Sequence, residues 1–266
     1  MAKYFFEPWV GKDYEQGWVL NGDKLEPAKK GGLKVMILGC DHYCKDVKSC
    51  GIHTKDKNGN EILSCNKQND CKSYTKQVVN DVIKGTKYTS FINFQNAFCK
   101  KLGPEMWNHL LFSNFFQRGM PYENDRPKKN KPNSNQSFMT SYEKKCGTEA
   151  FVDIVKEHEP NIIIIWGGDA QGAIYDILKQ NDLGFYLYLK NRPKIKIDTE
   201  EYPISFNILK NGNYSCLLIE SYHPSSSSYK KYFNEERLSK ILVYVFKNYT
   251  TIMNTLATYQ GPLYVK

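Results

Sequence analysis

Apolar residues are concentrated in four short runs along the chain, and each run is rich in β-branched side chains. Runs of this length, bounded by polar residues, are typical of parallel strands that are buried on both faces inside an α/β sheet. We therefore predict four buried strands, over Lys34–Gly39, His109–Asn114, Asn161–Trp166 and Ser215–Glu220.

Helical patterns lie between and around these runs. Their apolar positions recur at intervals of three and four residues, as in a helix with one face against a core. The predicted helices cover 73–85, 148–160, 169–184 and 233–249. Gly85 and Pro160 end the first two, and Asn234 is a residue type that caps helix N-termini. Strands that alternate with such helices predict an α/β fold, a three-layer α/β/α sandwich around a mostly parallel four-stranded sheet.

Three segments depart from this alternation. Residues 194–214 predict an added β-hairpin with Asn211-Gly212 as its turn. Residues 121–136 are polar, basic and proline-containing, which predicts an exposed loop. Residues 45–72 are rich in cysteine and form an insert after the first strand.

Composition narrows the expected partners and location. The 266 residues, 41% of them hydrophobic, can bury one substantial core, so we expect a single domain and a monomer. No run of about 18 apolar residues is present, and the N-terminus lacks the apolar region of a signal peptide. We therefore expect a cytoplasmic protein without a membrane partner. The formal charge of +9 favours a polyanionic partner such as single- or double-stranded DNA.

The eight cysteines favour free thiols or a metal over disulfides, if the chain stays in the cytoplasm. Cys44, Cys50, Cys65 and Cys71 form two C-x5-C pairs. Four thiolates can close a tetrahedral zinc site, which would stabilise a polar insert without a core of its own. His53 is an alternative ligand, and free thiols are the alternative to any metal. An iron–sulfur cluster fits less well because its usual cysteine spacing differs.

Polar and reactive side chains follow each of the four predicted strands. In open α/β sheets, ligands bind beyond the carboxyl ends of the strands. The segments at those ends are Gly39–Cys44, Asn114, Trp166–Gly172 and Ser221–Ser228. Their recurrence predicts a functional site along this edge of the sheet.

These segments, in this order, resemble the motifs of the uracil-DNA glycosylase superfamily. In that family one strand ends in G-Q-D-P-Y-H, a later strand ends in L-L-L-N, an apolar strand runs into W-G-S-x-A, and a loop reads H-P-S-P-L-S. The corresponding segments here are Gly39–Cys44, Leu110–Asn114, Trp166–Ala170 and His223–Ser228.

The first motif departs from the best-known branch of that family. Cys40, His42 and Cys44 stand where the family has Gln, Pro and His. The sequence HYC, together with PWVGKDY over Pro8–Tyr14, is similar to a less characterised bacterial branch. The resemblance therefore implies the fold and the reaction class more firmly than the target base.

The resemblance implies roles for four residues of the site. Asp41 would stabilise the oxocarbenium-like sugar and orient water, and His223 would donate a hydrogen bond to the departing base as a neutral imidazole. Asn114 would read the edge of the base with its paired donor and acceptor. Tyr43 would form a wall of the pocket.

The same resemblance implies contacts with the DNA backbone, because the target base must leave the duplex to reach such a pocket. Bare backbone and hydroxyl groups suit phosphates. The implied backbone contacts are Gly167, Gly168, Ser225, Ser226, Tyr229 and Lys230, with Tyr229 as the nearest large side chain to a duplex wedge. Phe91 and Phe94 are two candidates, without a choice between them, for stacking on the flipped base.

The expected function is therefore that of a monofunctional DNA glycosylase, which hydrolyses the N-glycosidic bond of uracil or of a modified pyrimidine-type base. No lysine lies in the first motif, so strand cleavage through a Schiff base is not expected. Two alternatives stay open at this point. One is a catalytically silent nucleic-acid-binding module of the same fold, and the other is a redox or metal enzyme that uses Cys40 and Cys44.

Overall fold

The computed structural model describes residues 6–40, 42–43, 54–55, 61–62, 71–117, 119–120, 141–178, 183–187, 194–197, 200–232 and 234–258. The strands are β1 (Trp9–Val10), β2 (Trp18–Asn21), β3 (Lys24–Pro27), β4 (Val35–Gly39), β5 (His42–Tyr43), β6 (Thr54–Lys55), β7 (Glu61–Ile62), β8 (Leu111–Asn114), β9 (Gly119–Met120), β10 (Ile162–Trp166), β11 (Tyr186–Leu187), β12 (Lys194–Ile197), β13 (Glu200–Asn211) and β14 (Tyr214–Ser221). The α-helices are α1 (Tyr74–Ile83), α2 (Thr89–Cys99), α3 (Ser141–His158), α4 (Gly168–Leu178), α5 (Ser227–Tyr232) and α6 (Glu235–Thr258).

Four parallel strands form the centre of the main sheet. Strand β4 pairs with β8 on one side and with β10 on the other, and β10 pairs with β14. Every residue of β4, β8 and β10 is buried. These are the four predicted strands, each within two residues of its predicted ends, so the prediction of an α/β fold with parallel central strands is confirmed.

The sheet is wider than predicted. Its order is β1-β8-β4-β10-β14-β13-β11, with β12 paired to β13, which gives eight strands instead of four. The predicted hairpin is not an appendage, because β13 pairs antiparallel with β14 from Ser205↔Glu220 to Asn211↔Tyr214. The turn falls at the predicted place, where Gly212 has a φ of 55°. The hairpin therefore extends the sheet on one side. On the other side β1 pairs antiparallel with β8 and is the last strand in the order.

Helices cover both faces of this sheet. Alternate residues of β10 point into two separate cores: Ile162 and Ile164 into one, Ile163 and Ile165 into the other. The first core is completed by α1, α2 and α6, and the second by α3 and α4. The two apolar faces of the predicted strands thus each acquire a helical layer, as a parallel sheet requires. No helix in the described part of the chain is long and apolar enough to cross a membrane.

All four predicted helices are present, and the described residues contain two further α-helices, α2 and α5, that were not predicted. The side-chain oxygen of Asn234 accepts a hydrogen bond from the Arg237 N–H at 3.0 Å, which confirms Asn234 as the cap of α6. Helix α2 was not predicted, although Phe91, Phe94 and Phe98 have helical spacing. Aromatic residues and Asn have modest helix propensity, so tertiary packing decides this segment. Helix α2 matters because it forms a wall of the candidate site.

Candidate functional site

A cleft of about 490 Å³ opens at the carboxyl ends of the central strands. Its volume lies in the range of about 300–1,000 Å³ that is usual for sites that hold a small molecule. The residues that follow the strand ends and line it are Gly39, Cys40, Asn114, Trp166, His223 and Ser225. The four segments that the sequence predicts at this edge therefore meet in one cleft.

Asn114 is held in place by the strand beside it. It is the last residue of β8, only 5% exposed, and lies opposite Gly39 of β4. A Cβ atom at Gly39 would overlap the side-chain oxygen of Asn114. The absence of a side chain at position 39 thus creates the space that the Asn114 amide occupies. The Gln117 side chain also donates to the Asn114 carbonyl at 2.9 Å, which fixes the backbone there.

The contacts of His223 select its tautomer. Its Nδ1 lies 3.3 Å from the backbone nitrogen of Ser225 and 2.9 Å from the Ser225 hydroxyl oxygen. A backbone N–H can only donate, so Nδ1 must be the acceptor and the neutral ring carries its proton on Nε2. Burial lowers the pKa of His223 below its ordinary value because it disfavours the charged ring. His223 therefore presents a neutral Nε2–H donor at neutral pH.

Two adjacent residues at the end of β10, Trp166 and Gly167, contact the segment that carries His223. The Trp166 ring lies edge-on to the imidazole, with 5.9 Å between ring centroids. The Gly167 N–H donates to the Ser221 carbonyl at 2.9 Å, and Gly167 has a φ of 99°, a backbone conformation that favours glycine. The third and fourth motifs are thereby joined directly.

Aromatic rings form the apolar wall of the cleft. Phe91 of α2 lines the cleft and contacts Phe112 and Trp166, at ring-centroid distances of 5.1 and 5.8 Å. Phe94 is fully buried, 5.2 Å from Trp166, and does not line the cleft. Of the two stacking candidates, Phe91 is therefore the one that a ligand in the cleft can reach. Trp166 itself is 1% exposed and belongs mainly to the core.

One of the predicted contacts with the DNA backbone is wrong. Tyr229 is 2% exposed and packs in the core, with its hydroxyl 3.5 Å from the Asn93 carbonyl. The side chain of Tyr229 points from the short helix α5 into the core. A buried ring cannot insert between base pairs, so Tyr229 does not act as a wedge in a duplex. The sequence shows that Tyr229 directly follows Ser225–Ser228, but it does not indicate whether the side chain faces solvent or the core.

Three of the other predicted backbone contacts are exposed, and Gly167 and Ser226 are partly buried. Ser225 and Lys230 are exposed, and the space beside Gly168, the first residue of α4, is open. The Ser226 hydroxyl accepts a hydrogen bond from the Tyr229 N–H at 3.0 Å, so it serves as a cap of α5. Gly168 and Lys230 therefore stay available to a phosphate, whereas both donors of Ser225, its N–H and its hydroxyl, are directed at Nδ1 of His223.

Several predicted site residues lie outside the described residues. Asp41 is among them, although the preceding residue, Cys40, lines the cleft. The backbone of Tyr43 is described and lies in β5, which pairs with β9. The loop 121–136 also lies outside the described residues.

The zinc prediction falls largely on the same part of the chain. Cys44, Cys50 and Cys65 are outside the described residues, and Cys71 is half-buried just before α1. Within the described ranges, no group of three or more His, Cys, Asp or Glu side chains is arranged to hold a metal ion. A zinc site in the insert stays a prediction.

The arrangement suits a flat, polar heterocycle. The amide of Asn114 offers a paired donor and acceptor, His223 offers a neutral donor, and Phe91 and Phe112 offer apolar faces. Comparison of the chain with models of known protein families gives no match, and no curated protein matches its sequence. The functional conclusion therefore rests on the motifs and on the geometry of this cleft.

Proposed function

We propose that the protein is a DNA glycosylase that hydrolyses the N-glycosidic bond of a flipped-out base, either uracil or a modified pyrimidine-type base, and leaves an abasic site. One observation carries the proposal: His223 and Asn114 line the same aromatic-walled cleft at the carboxyl ends of the parallel strands. Both stand at positions that resemble functional positions of the uracil-DNA glycosylase superfamily.

His223 supports the departure of the base. When the bond to the sugar breaks, negative charge develops on the base, and a donor at a base oxygen stabilises it. A neutral Nε2–H is suited to this task, since the Ser225 N–H holds the opposite nitrogen and burial keeps the ring uncharged. Donors that are already oriented in a partly dry site usually make the largest catalytic contribution.

Asn114 supports recognition of the base. Its carboxamide can accept from a ring N–H and donate to a neighbouring carbonyl, the pair of groups on the Watson–Crick edge of uracil. The amide is 5% exposed and its position depends on the gap at Gly39. Phe91 is placed to cover one face of the bound base.

Asp41 completes the proposed chemistry. Its carboxylate would stabilise the positive sugar and orient the attacking water, a role carried over from the family motif. Asp41 follows Cys40 directly, and Cys40 lines the cleft. The reaction as proposed needs no cofactor, and a zinc ion in the cysteine-rich insert would be structural.

DNA as the substrate is consistent with the charge of the chain and with the groups around the cleft. The formal charge is +9, and Ser225 and Lys230 are exposed in the segment that follows His223. Gly168 begins α4, and helix N-termini favour phosphate. The base must be extruded from the stack before it can enter a cleft walled by Phe91 and Trp166.

A panel of labelled oligodeoxynucleotides tests this proposal. Each oligonucleotide carries one uracil or one modified pyrimidine, in single-stranded and duplex form, and hot alkali cleaves any abasic site that forms. We expect cleavage for at least one base with the wild type and much less with His223→Ala, purified identically as a control for contaminating glycosylases. The absence of abasic sites on every substrate would refute the proposed glycosylase activity. If the protein then still bound DNA, it would be a catalytically silent binding module.

A further inference from the structure

Two exposed tyrosines stand at the mouth of the cleft. Tyr74, the first residue of α1, is 36% exposed, and Tyr88, just before α2, is 39% exposed. Large apolar side chains with this exposure are rare in the described part of the chain, yet both of these line the same cleft. Their position suits a ligand that extends out of the cleft and packs against aromatic rings.

Tyr88 continues the aromatic wall out to the surface. Its ring centroid is 6.1 Å from that of Phe91, Phe91 is 5.8 Å from Trp166, and Trp166 is 5.9 Å from the His223 ring. A row of rings therefore runs from solvent to the proposed catalytic donor. A chain of flat heterocycles could follow this row, with one unit in the cleft and the next at its mouth.

The segment that carries Tyr88 is also basic. Residues 84–88, which connect α1 to α2, are all exposed and include Lys84 and Lys87. Among the described residues, neither lysine forms an ion pair. Aromatic side chains interleaved with lysines are the usual surface for single-stranded nucleic acid, because the rings stack on bases and the lysines neutralise phosphates.

We propose that Tyr88, assisted by Tyr74, stacks on an unpaired base next to the target nucleotide, and that the phosphates of this single strand pass Lys84 and Lys87. The inference rests on the proposed function, because it requires a nucleotide in the cleft. Inside an intact duplex the stacked neighbours cover both faces of a base, whereas a base in a single strand can leave the stack and offer a whole face to Tyr88. The protein therefore acts on single-stranded DNA, or on DNA opened around the target, in preference to intact duplex.

Binding to DNA that lacks any target base tests the inference apart from catalysis. The probe is a fluorescently labelled thymidine oligonucleotide, and its affinity is measured by anisotropy for the single strand and for the same strand paired with its complement. We expect Tyr88→Ala to weaken single-strand binding about tenfold, the scale of one lost stacking contact. Tyr88→Phe keeps the ring and should bind like the wild type.

Two further variants separate stacking from general damage. Val19→Ala removes an apolar side chain of similar exposure, 40%, that does not line the cleft, and it should leave affinity unchanged. Lys84→Gln with Lys87→Gln should reduce the slope of log affinity against log salt by about 1.4, since each phosphate contact on a single strand contributes about 0.7.

Each outcome decides the inference. Equal single-strand affinity of Tyr88→Ala and the wild type would overturn it, as would tighter binding of the wild type to duplex. Base release with unaffected Tyr88→Ala binding would overturn the inference alone and leave the proposed function intact. A wild type that binds neither form of DNA would overturn both.

Discussion

The close approach of Asn114 to Gly39 makes a quantitative prediction about stability. A Cβ at Gly39 overlaps the Asn114 side-chain oxygen and lies 3.2 Å from the Phe112 ring. Overpacking of this kind in a buried site costs about 1–3 kcal/mol. We therefore expect Gly39→Ala to reduce the free energy of unfolding by that amount. It should also lower base release, because the displaced amide would no longer make its proposed contact with the base.

A double-mutant cycle isolates this contact. Asn114→Ala removes the overlapping oxygen, and only the milder contact with Phe112 then remains for the new methyl group at position 39. In that background Gly39→Ala should cost less than about 1 kcal/mol, so the two substitutions should be coupled by about 1–2 kcal/mol, within the range for residues in contact. Base release should stay low in the double variant, since its amide is absent.

Urea unfolding followed by tryptophan fluorescence measures the free energies of unfolding of the wild type, the two single variants and the double variant. The buried Trp166 lies beside the site and contributes to this signal. Additive effects of the two substitutions, with no coupling, would refute the proposed packing of Asn114 over Gly39. Recovery of base release in the double variant would contradict the role of the Asn114 amide.

Three further predictions concern His223, Tyr229 and the cysteine-rich insert. The pKa of His223 is lowered by burial, so the neutral ring persists as the pH falls through the ordinary histidine value of about 6.5. Single-turnover base release should stay level down to that pH and decline only below it; a decline that begins above pH 6.5 would contradict this. Tyr229→Ala should lower the free energy of unfolding by about 3–5 kcal/mol, as for other buried aromatic residues, in a denaturant titration. An unchanged free energy of unfolding together with weaker DNA binding would instead support Tyr229 as a wedge in the duplex. Metal analysis of protein purified without chelators should find about one zinc per chain, and loss of this zinc in Cys50→Ser would assign it to the insert. A protein without metal, in which the thiols of Cys44, Cys50, Cys65 and Cys71 all titrate freely, would exclude the zinc site.

The central sheet could be predicted because its signal is local. The strands β4, β8, β10 and β14 are apolar on both faces, which few other environments produce, and polar residues mark their carboxyl ends. Since parallel strands align those ends, the sequence also indicated that His223 and Asn114 lie at one edge. Their presence in one cleft follows from that topology.

Other features depend on tertiary packing that sequence patterns do not encode. Helix α2 contains aromatic and amide residues with weak helix propensity, so it was missed together with its wall of the cleft. Strand β13 contains Pro203 and several polar residues, a pattern that does not indicate pairing with a buried central strand. The sequence therefore predicted an added hairpin and not an extension of the main sheet. The direction of Tyr229 depends on how the six residues of α5 are rotated against α2, which no local pattern specifies.

Single-turnover base release by site variants tests the central claim most directly, on the best substrate from the oligonucleotide panel. His223→Ala removes the proposed donor to the departing base, and Asp41→Asn removes the proposed charge opposite the sugar cation while keeping the shape. His158→Ala is the matched control, because His158 is another partly buried histidine with a lowered pKa, but it lies at the end of α3 that precedes β10, away from the cleft. We predict a loss of about a hundredfold or more for the first two variants, with DNA affinity retained, and no loss for His158→Ala. Base release at the wild-type rate by His223→Ala or Asp41→Asn would contradict the account.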